Sequence, residues 1–90
     1  MPRYLIQRKL GEVADAQLKE AAVHSKRVRE EKYPDIQWDH SHVVRTGDGL
    51  MTFCVYEAPS TERVREHAKA AGLPADTIHV IHTDVDPRTL

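Results

Sequence analysis

Alternating runs of apolar and polar positions divide the chain into six predicted elements. Short runs of apolar, β-branched and aromatic residues predict four strands, at residues 4–8, 36–46, 50–56 and 78–85. Apolar residues at helical spacing predict one amphipathic helix of about 15 to 18 residues beginning near Asp15, and a second over residues 61–71. The predicted order is therefore strand–helix–strand–strand–helix–strand.

The segments between these elements restrict how they pack. Residues 46–49, Thr-Gly-Asp-Gly, predict a tight turn, so the second and third strands form an antiparallel hairpin. Right-handed crossovers then place both helices on one face of a four-stranded antiparallel sheet. We predict a single α+β domain over residues 1–90 with the ferredoxin-like fold. We also expect a homodimer, in which a second copy covers the open sheet face.

Composition narrows the functional classes. The chain has 13 basic and 14 acidic residues without a long run of either sign, so it lacks the concentrated basic patch that nucleic acid requires. Its single cysteine, Cys54, allows no internal disulfide and favours a cytoplasmic setting. Neither a signal peptide nor an apolar run of about 20 residues is visible. We expect a cytoplasmic protein that binds neither nucleic acid nor membranes.

Histidine is the unusual component, with six in 90 residues. Alternate residues of a strand share a face, so His40 and His42 project from the same side, about 7 Å apart along the chain. Imidazole is a good ligand for Zn, Cu, Fe and Ni. Which face they occupy is open, because Trp38 has the same parity but suits the buried side. Either both histidines lie at the rim of a buried Trp38, or a β-bulge switches the register.

The second helix places another histidine on its apolar stripe. Val64, His67, Ala68 and Ala71 follow the i, i+3, i+4, i+7 pattern, so His67 faces the sheet. A buried imidazole needs a hydrogen-bond partner or a metal. His67 is therefore either a hydrogen-bonded core residue or a ligand. Cys54 has a similar choice between a small buried apolar residue and a functional thiol.

Five segments together carry a family resemblance. They are Pro-Arg-Tyr-Leu-Ile at 2–6, Ile-Gln-Trp at 36–38 with His-Ser at 40–41, Cys-Val-Tyr-Glu-Ala-Pro at 54–59, Glu-His-Ala at 66–68 running to Ala-Gly-Leu-Pro-Ala at 71–75, and Asp-Pro at 86–87. The chain resembles a family of small bacterial ferredoxin-like proteins, formerly a domain of unknown function, that includes a nickel-binding protein. The resemblance implies a homodimer, no established catalysis, and nickel binding or sequestration.

The family pattern is matched at several candidate site positions and broken at one. The matching positions are His40, Cys54, Tyr56, Glu66 and His67. His42 departs from the pattern, since an aromatic residue is more usual there.

Two functional hypotheses follow. In the first, the protein binds a transition metal, nickel by the resemblance, with the ligands drawn from His40, His42, His67, Glu66, Glu57 and Cys54. In the second, it is an enzyme or small-molecule binder of the dimeric α+β barrel type, with a pocket lined by Trp38, Cys54, Tyr56 and His67. The common enzyme signatures are absent, which favours the first hypothesis over catalysis. A plain interaction module is a third reading that the sequence leaves open.

Overall fold

The strands and helices follow one another in the predicted order. The computed structural model describes all residues 1–90. The elements are β1 (Arg3–Gly11), α1 (Asp15–Lys32), β2 (Gln37–Thr46), β3 (Gly49–Glu57), α2 (Thr61–Ala71), β4 (Thr77–Val80) and a short 3₁₀ helix (Pro87–Thr89). No helix combines the length and apolarity of a membrane span.

All four strands form one antiparallel sheet with the order β2-β3-β1-β4. Both helices lie on one face, where Val64 of α2 packs into a core cluster with Tyr4, Ile6, Cys54 and Tyr56. The predicted ferredoxin-like α+β fold is confirmed. The opposite sheet face, called the open face below, carries no helix and includes Leu5, Phe53 and Val55, which alternate with the core residues of β1 and β3.

The last strand is shorter than the sequence predicts. β4 ends at Val80, which lies opposite Tyr4. One further backbone hydrogen bond, from Ile81 N to Arg3 O at 2.8 Å, falls where β1 begins. Because β4 is an edge strand with β1 as its only neighbour, the chain beyond Ile81 has no strand to pair with, and the predicted extension to residue 85 is wrong.

The two helices pack differently. α2 buries Val64, His67, Ala68 and Ala71, the stripe that the sequence predicts. α1 buries only Ser25 and Val28. The other apolar residues that recur at helical spacing in α1 remain partly exposed; these are Leu18, Ala21 and Ala22. The first half of α1 therefore stands away from the sheet and leaves a space beneath it.

Candidate functional site

Strand β2 contains a β-bulge at Asp39. Trp38 lies opposite Tyr56 and His40 lies opposite Val55, so Asp39 is the extra residue between two consecutive pairs. A bulge of this kind turns the following residues to the other face of the sheet. Trp38 consequently faces the helices, whereas His40 faces away from them. Of the two arrangements compatible with the sequence, the bulge with its switched register is the one observed.

The bulge places two imidazoles side by side on the open face. His40 and His42 lie opposite Val55 and Phe53 of β3, and both side chains are exposed. Their ring centroids are 5.1 Å apart, with the ring planes at 80°. The Asp39 carboxylate lies 3.6 Å from His40 Nδ1, too long for a hydrogen bond but close enough to favour positive charge nearby. Two neighbouring imidazoles of this kind can approach one metal ion.

One carboxylate among the predicted ligands shares this face. Glu57 follows Val55 by two positions on β3, so the two side chains point to the same side. Its partner on β2 is Gln37, in the second pair beyond the bulge. Glu57 is half-buried and lies diagonally across from His40, a spacing that long side chains can bridge.

His67 lies on the opposite side of the sheet. It is fully buried, and its Nε2 lies 3.1 Å from the Ser25 carbonyl oxygen, which fixes Nε2 as the protonated nitrogen of a neutral ring. Its Nδ1 has no partner. Burial lowers the pKa of His67, and the positive charges of Arg8 and Arg29 lower it further. His67 is thus a neutral core histidine that the sheet separates from His40 and His42.

The remaining predicted ligands also lie on the helix side. Glu66 is exposed on α2 and forms an ion pair with Arg63, with 3.0 Å between Oε2 and Nη1. Cys54 is buried, with its sulfur 3.8 Å from Thr52 Oγ1. The chain contains no group of three or more His, Cys, Asp or Glu side chains placed to hold a metal ion. Within one protomer, His67, Glu66 and Cys54 therefore lie apart from His40 and His42, and the protomer offers the His40–His42 pair.

A cavity of about 300 Å³ lies between the first half of α1 and the sheet. Its lining includes Trp38, Cys54 and Tyr56, three of the four residues predicted for a small-molecule pocket. His67, the fourth, does not line it. Burial raises the pKa of Tyr56, so its hydroxyl is a neutral donor and acceptor in the wall.

Arg8 also lines this cavity, and it is absent from the predicted site residues. Its side chain is 2% exposed, yet it carries a full charge. The sequence contains one signal for this position: Arg8 follows Tyr4 and Ile6 at alternate positions of β1, so strand parity places it on the buried face.

Comparison with known proteins gives a matching family and seven similar chains among the solved structures. The model of a family described as Nickel responsive protein SCO4226-like matches residues 4–81. The crystal structure of SCO4226 from Streptomyces coelicolor A3(2) is similar, with a TM-score of 0.76 and 20% sequence identity, covering 92% of this chain and 99% of that chain. At this identity the likeness in structure supports the fold alone. A comparison with curated proteins gave no match.

Proposed function

This chain belongs to the SCO4226-like family of nickel responsive proteins, and on that premise we propose that it binds nickel or a related divalent ion through His40 and His42. The observation that carries the proposal is the bulge at Asp39, which sets both imidazoles on one accessible face with 5.1 Å between ring centroids. Nickel is here the bound cargo, and the proposed role is its sequestration or homeostasis.

The donor set of one protomer fits nickel in part. Imidazole nitrogen is a favourable ligand for Ni²⁺, and carboxylate oxygen is an acceptable one. His40 and His42 supply two nitrogens, and Glu57 is the carboxylate of the same face. Nickel takes more ligands than two, so water or a second protein copy must supply the others.

We propose a second copy of this chain as that partner. The open face presents apolar side chains beside the histidines, including Leu5, Phe53 and Val44, and Val44 is 41% exposed. A twofold arrangement brings the same patch of both subunits together. The two histidine pairs would then belong to one sheet–sheet interface, where four imidazoles become available to bound ions.

Calorimetric titration of the tag-free protein with Ni²⁺ tests the ligand assignment. We expect the double variant His40→Ala/His42→Ala to bind Ni²⁺ about tenfold more weakly or worse, because both nitrogen ligands are removed. The double variant His24→Ala/His82→Ala is the matched control, since it removes two exposed histidines that lie elsewhere. Equal affinities of the two double variants would reject His40 and His42 as the ligands.

The pH dependence of nickel binding gives a second check. Imidazole ligates a metal only in its neutral form, so the affinity of the wild-type protein must fall as acid protonates the ligands. The His67→Gln variant should show the same affinity and the same dependence, because His67 lies across the sheet from the pair. A large loss of nickel affinity in the His67→Gln variant would mean that His67 is a ligand, which would contradict the proposed His40–His42 site.

A further inference from the structure

Arg8 carries a buried positive charge without an anionic partner. Its Nη1 donates to the Pro74 carbonyl oxygen at 2.7 Å, and its Nη2 lies 3.4 Å from the Tyr56 hydroxyl. Its Nε has no partner, and none of the ion pairs of the chain includes it. The Tyr56 ring, 5.7 Å from the guanidinium carbon, stabilises the charge in part. A guanidinium stays protonated even when buried, so this charge remains costly until an anion meets it.

The space beside this charge is predominantly apolar. Leu18, Ala21 and Ala22 of α1 form one wall of the cavity, and Trp38 and Val43 of β2 line it from the sheet. The volume of about 300 Å³ lies at the lower end of the range for ligand pockets. Such a space suits a small ligand body without polar groups.

Most of the buried polar groups of the cavity come from the sheet, and Ser25 of α1 adds one more. Arg8 of β1 lies opposite Thr52 of β3, and Cys54 follows two positions along, next to Ser41 of β2. The outer part of the lining includes Asp15 and Lys19, both of which are exposed. The charged end of a ligand would therefore lie deep, against Arg8, and its apolar body nearer the helix.

We propose that this cavity binds a small monocarboxylate with an apolar body, its carboxylate paired with the Arg8 guanidinium. The guanidinium presents a planar fork of donors that matches the two oxygens of a carboxylate, and its buried Nε–H has no partner within the protein. One negative charge neutralises the one buried positive charge. The site is independent of the proposed nickel site, because it lies on the other face of the sheet.

Calorimetry on the wild-type protein tests the head group without any variant. The probes are octanoate, octan-1-ol and octylammonium, which share one apolar chain. Octanoate should bind about tenfold or more tightly than octan-1-ol, because it alone forms charge-assisted hydrogen bonds with Arg8. Octylammonium should show no binding. Equal affinity of the acid and the alcohol would overturn the proposal.

A matched pair of substitutions on α1 tests the location. Ala22 lines the cavity, whereas Val23, its neighbour in sequence, is 48% exposed and lies outside that lining. Ala22→Phe fills the cavity and should weaken octanoate binding about tenfold or more, while Val23→Phe should leave it unchanged. Octanoate binding that survives in Ala22→Phe would show that the acid binds elsewhere.

Two further variants separate this site from its neighbours. In Arg8→Met the preference for octanoate over octan-1-ol should disappear, and the wild-type comparison of head groups decides the proposal should this variant not fold. In His40→Ala/His42→Ala the affinity for octanoate should equal that of the wild type. Loss of octanoate binding in the histidine variant would contradict an independent site on the helix side.

Discussion

At the scale of single residues, the core of this protein contains two buried side chains able to carry a positive charge, and it accommodates them in different ways. His67 can release its proton, and burial lowers its pKa, so it stays neutral with one hydrogen bond to the Ser25 carbonyl oxygen. Arg8 cannot release its proton and remains charged in the same core. The neutral His67 needs no partner from outside the chain. The charge of Arg8 has no counterion within the chain, and an external anion can supply one.

The acid sensitivity of folding should depend on His67. An unfolded chain protonates this ring near the ordinary value of 6.5, but the folded chain resists protonation to lower pH. Below pH 6.5 the unfolded state therefore binds the extra proton, and the free energy of unfolding falls with pH by up to about 1.4 kcal/mol per pH unit until the folded-state pKa is reached. Well above pH 6.5, where the ring is neutral in both states, His67 has no such effect.

Denaturation by urea at about pH 7.5 and about pH 5.5 measures this. The His67→Gln variant retains an N–H donor for the Ser25 carbonyl oxygen but cannot titrate, so its loss of stability between the two pH values should be smaller than that of the wild type. Identical losses in the two proteins would mean that His67 does not contribute to acid unfolding.

How much of each residue's role could be predicted depends on what determines it. The buried position of His67 follows from helical periodicity, which is local information. Its hydrogen-bond partner in α1 does not, because it depends on how the two helices pack. Arg8 was predictable as a buried position from strand parity, but only the structure gives its missing counterion.

At the scale of elements, one extra residue in β2, Asp39, puts Trp38 on the helix face of the sheet and His40 on the open face. The conflict between Trp38 and His40, which share parity but suit different faces, indicates a bulge as one of two solutions. The sequence pattern alone cannot distinguish a bulge from the alternative, in which both histidines lie at the rim of a buried Trp38, because both arrangements agree with the alternation of residues. Strand pairing chooses, by setting Trp38 opposite Tyr56 and His40 opposite Val55. The end of β4 has the same origin, as it depends on where β1 begins.

The β2–β3 hairpin should be intolerant at one of its two glycines. Gly49 has φ of 111°, and an added Cβ would lie 2.3 Å from the Gly11 carbonyl carbon and 2.4 Å from its oxygen. Because these neighbours are backbone atoms that cannot rotate away, Gly49→Ala should lower the free energy of unfolding by about 2 kcal/mol or more.

The matched control lies two positions earlier in the same turn. An added Cβ at Gly47 meets nothing within 4 Å, and its φ is not positive. Gly47→Ala should therefore change stability by less than about 1 kcal/mol, with urea denaturation as the measurement. Similar effects of the two substitutions would contradict the close approach of the hairpin turn to the end of β1.

At the scale of the whole molecule, the sheet separates two kinds of chemistry. The open face carries His40, His42 and exposed apolar residues, whereas the helix face carries the core and the Arg8 cavity. The fold could be predicted from the order of the elements and the handedness of the crossovers alone. The division of functional residues between faces needed the bulge and the pairing of strands, which connect residues far apart in the chain.

The proposed second copy on the open face has a direct test. Phe53 lies on this face, opposite His42, and Phe53→Asp should shift the protein towards monomer in size-exclusion chromatography with light scattering, because a charge would be buried at the interface. Val85→Asp adds the same charge at a residue that is 75% exposed and outside the sheet, and should leave the assembly unchanged. A wild-type protein that stays monomeric with Ni²⁺ present would exclude the dimer.

The position of Trp38 has a practical consequence. It is the only tryptophan of the chain, its indole N–H donates to Ser41 Oγ at 2.9 Å, and it lines the cavity on the face opposite the histidine pair. Its fluorescence therefore reports on the cavity side of the sheet. A ligand that displaces water from the cavity should shift the emission of Trp38 to shorter wavelength. A metal ion bound on the open face should lower the emission intensity without that shift. The two events can thus be followed separately in one unlabelled sample.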